Sequence, residues 1–258
     1  MVETSVIGCG NMGSALVKGL RRAGGHTVTA CDLDPDALEA IADDADRTTT
    51  ELAVAAESDV VVLAVKPSAV GAVVADLDLS PDQTLVTFAA GVSIEFVAER
   101  TDATVVRMMP NLAAETQNMA TAVAGDDIPD EILAMLDELG EYVVIDEDRM
   151  DVATALNGSG PAFVFYLLGA MRDSAIESGI DPDDAELLAA QTFKGAAETV
   201  RRSDKNVEEL IDAVCSPNGT TIEGMEVLWN SDVTETIVEA VTAAEERSAE
   251  MARELDDE

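Results

Sequence analysis

The segment Val6-Ile7-Gly8-Cys9-Gly10-Asn11-Met12-Gly13 constrains the fold of this chain more than any other. A GxGxxG that ends an apolar strand and opens a helix builds a pyrophosphate cradle. Gly8 suits the tight turn, Gly10 lets the backbone approach phosphate, and Gly13 permits close packing of helix on strand. The amides of Asn11 and Met12 then open a helix whose dipole favours an anion. Glycines also cluster in turns for structural reasons alone, so the flanks decide the matter. Ser5 to Ile7 reads as a strand, Ala15-Leu16-Val17 and Leu20 give a helical apolar face, and Thr27 to Cys31 reads as a second, β-branched strand. Asp32 ends that strand about twenty residues beyond Gly13, where a carboxylate accepts hydrogen bonds from adenosine ribose hydroxyls. The unit is βαβ, and the expected ligand is a dinucleotide.

The alternation continues. A helix is expected from Asp34-Pro35 to about Asp43, with proline in its first turn. The valine-rich run from Asp59 to Val65 has the pattern of a strand buried on both faces of a parallel sheet. Further strands are expected at Thr84 to Phe88 and Thr104 to Met108, a helix at Ile94 to Arg100, and weaker strands at Ala120 to Val123 and Tyr142 to Ile145 flanking a helix from Pro129 to Leu139. This is a doubly wound, Rossmann-type α/β domain over residues 1–148. From 149 to 258 β-branched runs give way to alanine-rich, acid-faced helices, an all-helical dimerisation and substrate domain. Within it, Pro161 to Met171 is apolar all round, which a surface helix of a small monomer does not tolerate. Eleven residues are too few to span a bilayer. A homodimer is therefore expected, or a larger homo-oligomer built on dimers.

Composition narrows the partners. Fifty-two acidic against fifteen basic residues give the 258-residue chain a formal charge of −37, spread through the sequence as single Asp and Glu. Such a surface suits concentrated salt, where a Debye length of about 3 Å at 1 M screens self-repulsion. Nucleic acid and anionic membranes are excluded as expected partners, because the basic clusters that bind phosphate backbones are missing. No leader segment precedes the first strand and no apolar run approaches the roughly 20 residues of a membrane helix, so a cytoplasmic location is expected. Cys9, Cys31 and Cys215 lack metal-ligand spacing, and no metal site is expected. His26, the only histidine, stands beside a Gly-Gly turn and is expected at the surface. Acid–base chemistry has to come from elsewhere.

In open α/β sheets ligands bind outside the carboxyl ends of the strands. Val65-Lys66-Pro67 leaves the central strand there, and Lys66 either faces the nicotinamide or is an ordinary strand-end lysine. Asn111, after Met109-Pro110, either bonds cofactor or substrate or caps the turn. Asn157-Gly158-Ser159-Gly160-Pro161 interrupts a helical stretch, its glycines expected to let the helix pass near the cofactor. Cys215-Ser216-Pro217-Asn218-Gly219-Thr220-Thr221 precedes a helix expected from about Ile222. Its successive N–H groups form an anion seat, or else a Thr-capped turn. Hydroxyls without an ionisable side chain suit hydride transfer by a cofactor better than hydrolysis.

Taken in order, GCGNMG, AVKP, RMMPN, ALNGSGPA and SPNGTT resemble the pyrroline-5-carboxylate reductase family over essentially the whole chain, SPNGTT most specifically. Asn218 replaces the family's usual glycine, Asn157 a small hydroxyl residue, and Leu112-Ala113 stand where Thr-Pro is frequent. Asn tolerates positive φ next best to Gly, so Asn218 need not disturb the loop. The resemblance implies NAD(P)H-dependent reduction of the cyclic imine 1-pyrroline-5-carboxylate to L-proline, in an active site between the dinucleotide domain and helices of a dimer. It implies that Ser216, Asn218, Gly219, Thr220 and Thr221 hold the substrate carboxylate, that Thr221 approaches the ring nitrogen, and that Lys66 lies near the reacting atoms. Asp32 would repel a 2′-phosphate and favours NADH, with NADPH the alternative. Rival readings are a β-hydroxyacid dehydrogenase, which lacks its lysine here because Val164 occupies the position, a deazaflavin-dependent NADP reductase, which leaves SPNGTT unexplained, and a non-catalytic NAD-binding redox sensor.

Overall fold

The computed structural model describes residues 2–256. It resolves into two compact units, one of residues 1–159 with 241–258 and one of residues 160–240. The division between these compact units falls inside the Gly-rich segment at 157–160. The C-terminal residues also return to the first unit.

The first unit is one eight-stranded sheet in the order β3-β2-β1-β4-β5-β6-β7-β8. Its strands are β1 (Val2–Ile7), β2 (His26–Cys31), β3 (Arg47–Thr49), β4 (Val60–Leu63), β5 (Thr84–Thr87), β6 (Thr104–Met109), β7 (Met119–Ala124) and β8 (Gly140–Val144). All pairs are parallel except β6 with β7. Strand β3, exposed and polar, carries no apolar pattern and escapes sequence reading. The helices are α1 (Asn11–Ala23), α2 (Pro35–Ile41), α3 (Leu52–Ala55), α4 (Pro67–Ala75), α5 (Ile94–Ala98), α6 (Asp130–Leu139) and α7 (Met150–Ala153).

The side-chain period of two explains why both faces are apolar. Val6, Val62, Val86 and Val106 pack with Leu16 and Leu136 on one face. Val61, Leu63, Leu85 and Val105 pack with Val70 and Val97 on the other. Order reverses between β1 and β4, so a crevice opens beyond their carboxyl ends. His26 is not on the surface: its ring is 6% exposed, with Nε2 2.7 Å from Glu138 Oε2. It starts β2, at the end of the sheet opposite that crevice.

The second unit holds α8 (Gly160–Glu177), α9 (Pro182–Arg202), α10 (Val207–Val214), α11 (Thr220–Trp229) and the start of α12 (Val233–Asp256). Before α8 the chain does not break. Residues Thr154–Gly158 form a π turn, and Ser159 N–H donates to the Thr154 carbonyl over 2.9 Å. The resulting helical run, Glu147–Glu177, is long and apolar enough by length and composition to cross a membrane, and only 6% of its apolar window is buried. The sequence expectation of no such run fails because short turns join into one helix. Its Phe165 and Tyr166 are 68% and 79% exposed.

Candidate functional site

Each fingerprint glycine has its own steric cause. Gly8 has φ +98°, and a Cβ there would lie 2.8 Å from the Ala64 carbonyl. A Cβ at Gly13 would overlap the Gly8 carbonyl oxygen, whereas one at Gly10 meets nothing within 4 Å. The protein thus leaves space at Gly10, where phosphate has to approach, and none at the other two. Gly10 caps α1 without a side-chain hydrogen bond and no acidic residue occupies the first turn. The amides of Asn11 and Met12 therefore open an uncapped, positively polarised helix end, which fits a dinucleotide pyrophosphate.

Neighbouring strands close the cradle. Ala64 N–H donates to the Ile7 carbonyl over 2.8 Å, which brings Val65 against the Gly-rich turn, its Cγ1 being 3.0 Å from a Cβ built on Gly8. Lys66 is exposed and caps α4, with Pro67 as the first helical residue. No ion pair involves Lys66 among the described residues. Asp32 is bound into the loop: Cys9 N–H donates to its Oδ2 over 2.6 Å and Asp34 N–H to its Oδ1 over 2.9 Å. The short loop around Asp32 also encloses two free, buried thiols. Burial, reinforced by the Asp32 carboxylate, pushes Cys9 up to about 12 and Cys31 up to about 11. Both stay protonated at neutral pH and are poor nucleophiles there.

Asn111 takes the capping role. Its Oδ1 accepts from Ala113 N–H over 3.1 Å and lies 3.4 Å from Ala120 N, starting a 3₁₀ turn at Leu112–Thr116. Asn157 has a structural role that its residue type does not announce. Its Nδ2 donates to the carbonyls of Met109 at 2.6 Å and Ala120 at 3.0 Å, tying the π turn to the end of β6 and the start of β7. A Cβ on Gly158 would lie 3.5 Å from Met109 Sδ, an ordinary contact. Nothing comes within 4 Å of one on Gly160.

In the second unit the hydroxyl-rich loop runs directly into α11, which starts at Thr220 and not at Ile222. Asn218 has φ +57°, so it supplies the left-handed conformation for which glycine is the usual choice. Gly219 N–H donates to the Ser216 carbonyl over 2.9 Å, and a Cβ on Gly219 would overlap Ser216 Oγ. Gly219 caps α11 with no side-chain hydrogen bond, so the Thr-capped alternative is not adopted. Ser216, Asn218, Thr220 and Thr221 are all exposed, as is Glu223 in the first turn. Among the described residues no group of three His, Cys, Asp or Glu is arranged to hold a metal ion.

Two family models match. Residues 147–251 match pyrroline-5-carboxylate reductase dimerisation, and residues 3–91 match NADP oxidoreductase, coenzyme F420-dependent. The pyrroline-5-carboxylate reductase of Methanosarcina acetivorans is 36% identical over 96% of this chain and 97% of its own. The chain belongs to the pyrroline-5-carboxylate reductase family. The Escherichia coli reductase is 32% identical over 96% of this chain and 97% of its own. The crystal structure of Plasmodium falciparum pyrroline carboxylate reductase with NADP bound superposes with a TM-score of 0.86 at 26% identity, covering 97% of this chain and 98% of that one. The F420-dependent match stops at residue 91 and leaves the hydroxyl loop outside, whereas these relatives of the reductase family span it.

Proposed function

We propose that this protein reduces 1-pyrroline-5-carboxylate to L-proline. Likeness to reductases over nearly the full length of both chains carries this reading. The uncapped α11 terminus behind a turn made by the positive φ of Asn218 supports it locally. The amides of Thr220 and Thr221 at the start of α11 receive the substrate carboxylate, since helix N-termini favour anions, while the Gly219 N–H stays bound to the Ser216 carbonyl. Thr221 offers a hydroxyl to the ring nitrogen, and Lys66 keeps a positive charge near the reacting atoms. The cofactor, when bound, supplies the hydride. The imine carbon accepts the electron pair, the C=N bond becomes single, and nitrogen takes one proton, by way of the Thr221 hydroxyl or from water. An imine carbon is already electrophilic, so positioning and one hydrogen bond supply most of the catalysis.

NADH is the proposed cofactor. Asp32, Asp34 and Asp36 crowd the end of β2 with carboxylates and no basic residue between them, a poor setting for a 2′-phosphate. The proposed assembly is a cytoplasmic homodimer formed through the region matched by the dimerisation model. The exposed aromatic side chains of α8 then face a second copy and not lipid. The charge of −37 supports a requirement for salt, because screening relieves repulsion within the protein and towards two anionic ligands. One experiment tests the reaction, the cofactor and the need for salt: oxidation of NADH and of NADPH with the imine across a KCl series. Turnover with NADH should dominate and rise with salt. Absence of imine-dependent oxidation would reject the reaction, and equal use of NADPH would reject the cofactor assignment.

A further inference from the structure

Asp32 does more in this structure than stand where an adenosine ribose arrives. Its two carboxylate oxygens each accept a backbone N–H, one from Cys9 at 2.6 Å and one from Asp34 at 2.9 Å. Cys9 lies between Gly8 and Gly10, inside the phosphate turn. Asp34 is the residue that caps α2, with its own carboxylate accepting from Asp36 N–H over 3.0 Å. One charged group thus fastens the turn after β1 to the turn after β2. Hydrogen bonds from amides to a carboxylate are stronger than neutral ones. A turn containing two glycines needs such a tether, because glycine leaves the backbone the greatest freedom to lose.

The surrounding contacts leave Asp32 as the side-chain acceptor that holds the Cys9 amide. Ser14 Oγ donates to the Cys9 carbonyl over 2.7 Å, so it fixes the other side of the same peptide residue. Gly8 N–H donates to the Cys31 carbonyl over 2.8 Å, which sets the start of the turn but not its apex. With the Cys9 amide committed to Asp32, the amides left to meet phosphate are those that follow, at the mouth of α1.

We infer that Asp32 is a positioning residue for the pyrophosphate loop, acting through the Cys9 amide, in addition to any contact with the ribose. This rests on the dinucleotide-dependent reading above. Its consequence is that Asp32 governs cofactors that have no adenosine at all. Reduced nicotinamide mononucleotide carries a phosphate and the nicotinamide but lacks the ribose that an acidic residue is usually held to select.

The test compares wild type with Asp32→Asn and Asp32→Glu, using NADH, NADPH and reduced nicotinamide mononucleotide as hydride donors. Asn provides one acceptor for two amides, and Glu keeps the charge but moves the oxygens by one methylene. Both variants should raise KM for the mononucleotide by roughly tenfold, the scale of a lost charged hydrogen bond. A residue that touches only the ribose would leave the mononucleotide KM unchanged, and that result overturns the inference. Amide hydrogen exchange on the unliganded wild type needs neither variant nor turnover. The Cys9 amide should exchange far more slowly than an open loop amide, and exchange at the open-loop rate would equally overturn the tether. A protected Cys9 amide in a protein that oxidises neither dinucleotide would leave the tether standing and sink the catalytic reading.

Discussion

The two units solve the problem of burial differently. The first encloses a parallel sheet between helices, and its largest buried side chains, such as Leu16, Leu85 and Leu136, are almost fully removed from water. In the second unit, among the described residues, only Ala185 and Ala189 are buried hydrophobics. Its larger side chains lie open, including Trp229 at 56%. A helical unit with so little interior cannot offset the entropy of ordering its chain. The first unit carries its own core, while the second depends on another surface to complete one.

The largest expected effect breaks that dependence. Phe165→Asp together with Tyr166→Asp should yield monomers by light scattering, with loss of helical signal from the second unit. Each large side chain left unburied forfeits about 1.5–3 kcal/mol. A monomer of unchanged helicity would mean that the second unit is stable alone. Next, Gly13→Ala perturbs the first unit only, because the added methyl collides with the Gly8 carbonyl. KM for NADH should rise by about a hundredfold, the cost of shifting bound groups by an ångström, while the oligomer survives. If size-exclusion showed dissociation, the two units would not be separable in this way.

Thr221→Val sharpens the contrast from the other side. It should lower kcat by roughly 10²–10³ with little change in KM for NADH, and Thr221→Ser should recover much of the loss. A matched fall in cofactor affinity would argue against a role confined to the imine. The smallest effect is alkaline. Cys9 titrates near 12 when folded against an ordinary value of 9.0, so the folded state binds more protons between those values. Stability is intact below about pH 9 and falls as pH rises towards 12. Urea unfolding at pH 8 and pH 10 should show this decline, and Cys9→Ala should lessen it, leaving the share that Cys31 contributes; an unchanged slope would show that Cys9 does not contribute.

Legibility followed the range of the interactions. Gly8 and Gly13 could be read because a strand-to-helix turn imposes local steric demands that only glycine meets. Asn218 could be read because positive φ is a local demand as well. The helical readings around Asp34 and Pro129 held to within a residue or two for similar reasons. His26 was misread because its partner, Glu138, is remote in sequence. Asn111 leaves two roles open in the sequence, and only the fold brings the Ala113 and Ala120 amides to its oxygen. The tether made by Asn157 is not legible in the sequence, since the carbonyls it holds belong to the end of β6 and the start of β7, both remote along the chain.

The sequence by itself determined the sheet's central strands, the place of the phosphate cradle and the family, because these rest on apolar periodicity and on short motifs whose geometry is local. Tertiary structure decided that β3 joins the sheet, that Asp32 holds the Cys9 amide, and that the last helix returns to the first unit, where Ser248 Oγ and Asp151 Oδ1 lie 2.7 Å apart. Those outcomes depend on which backbone groups remain unpaired once the strands are in register. No window of sequence contains that information.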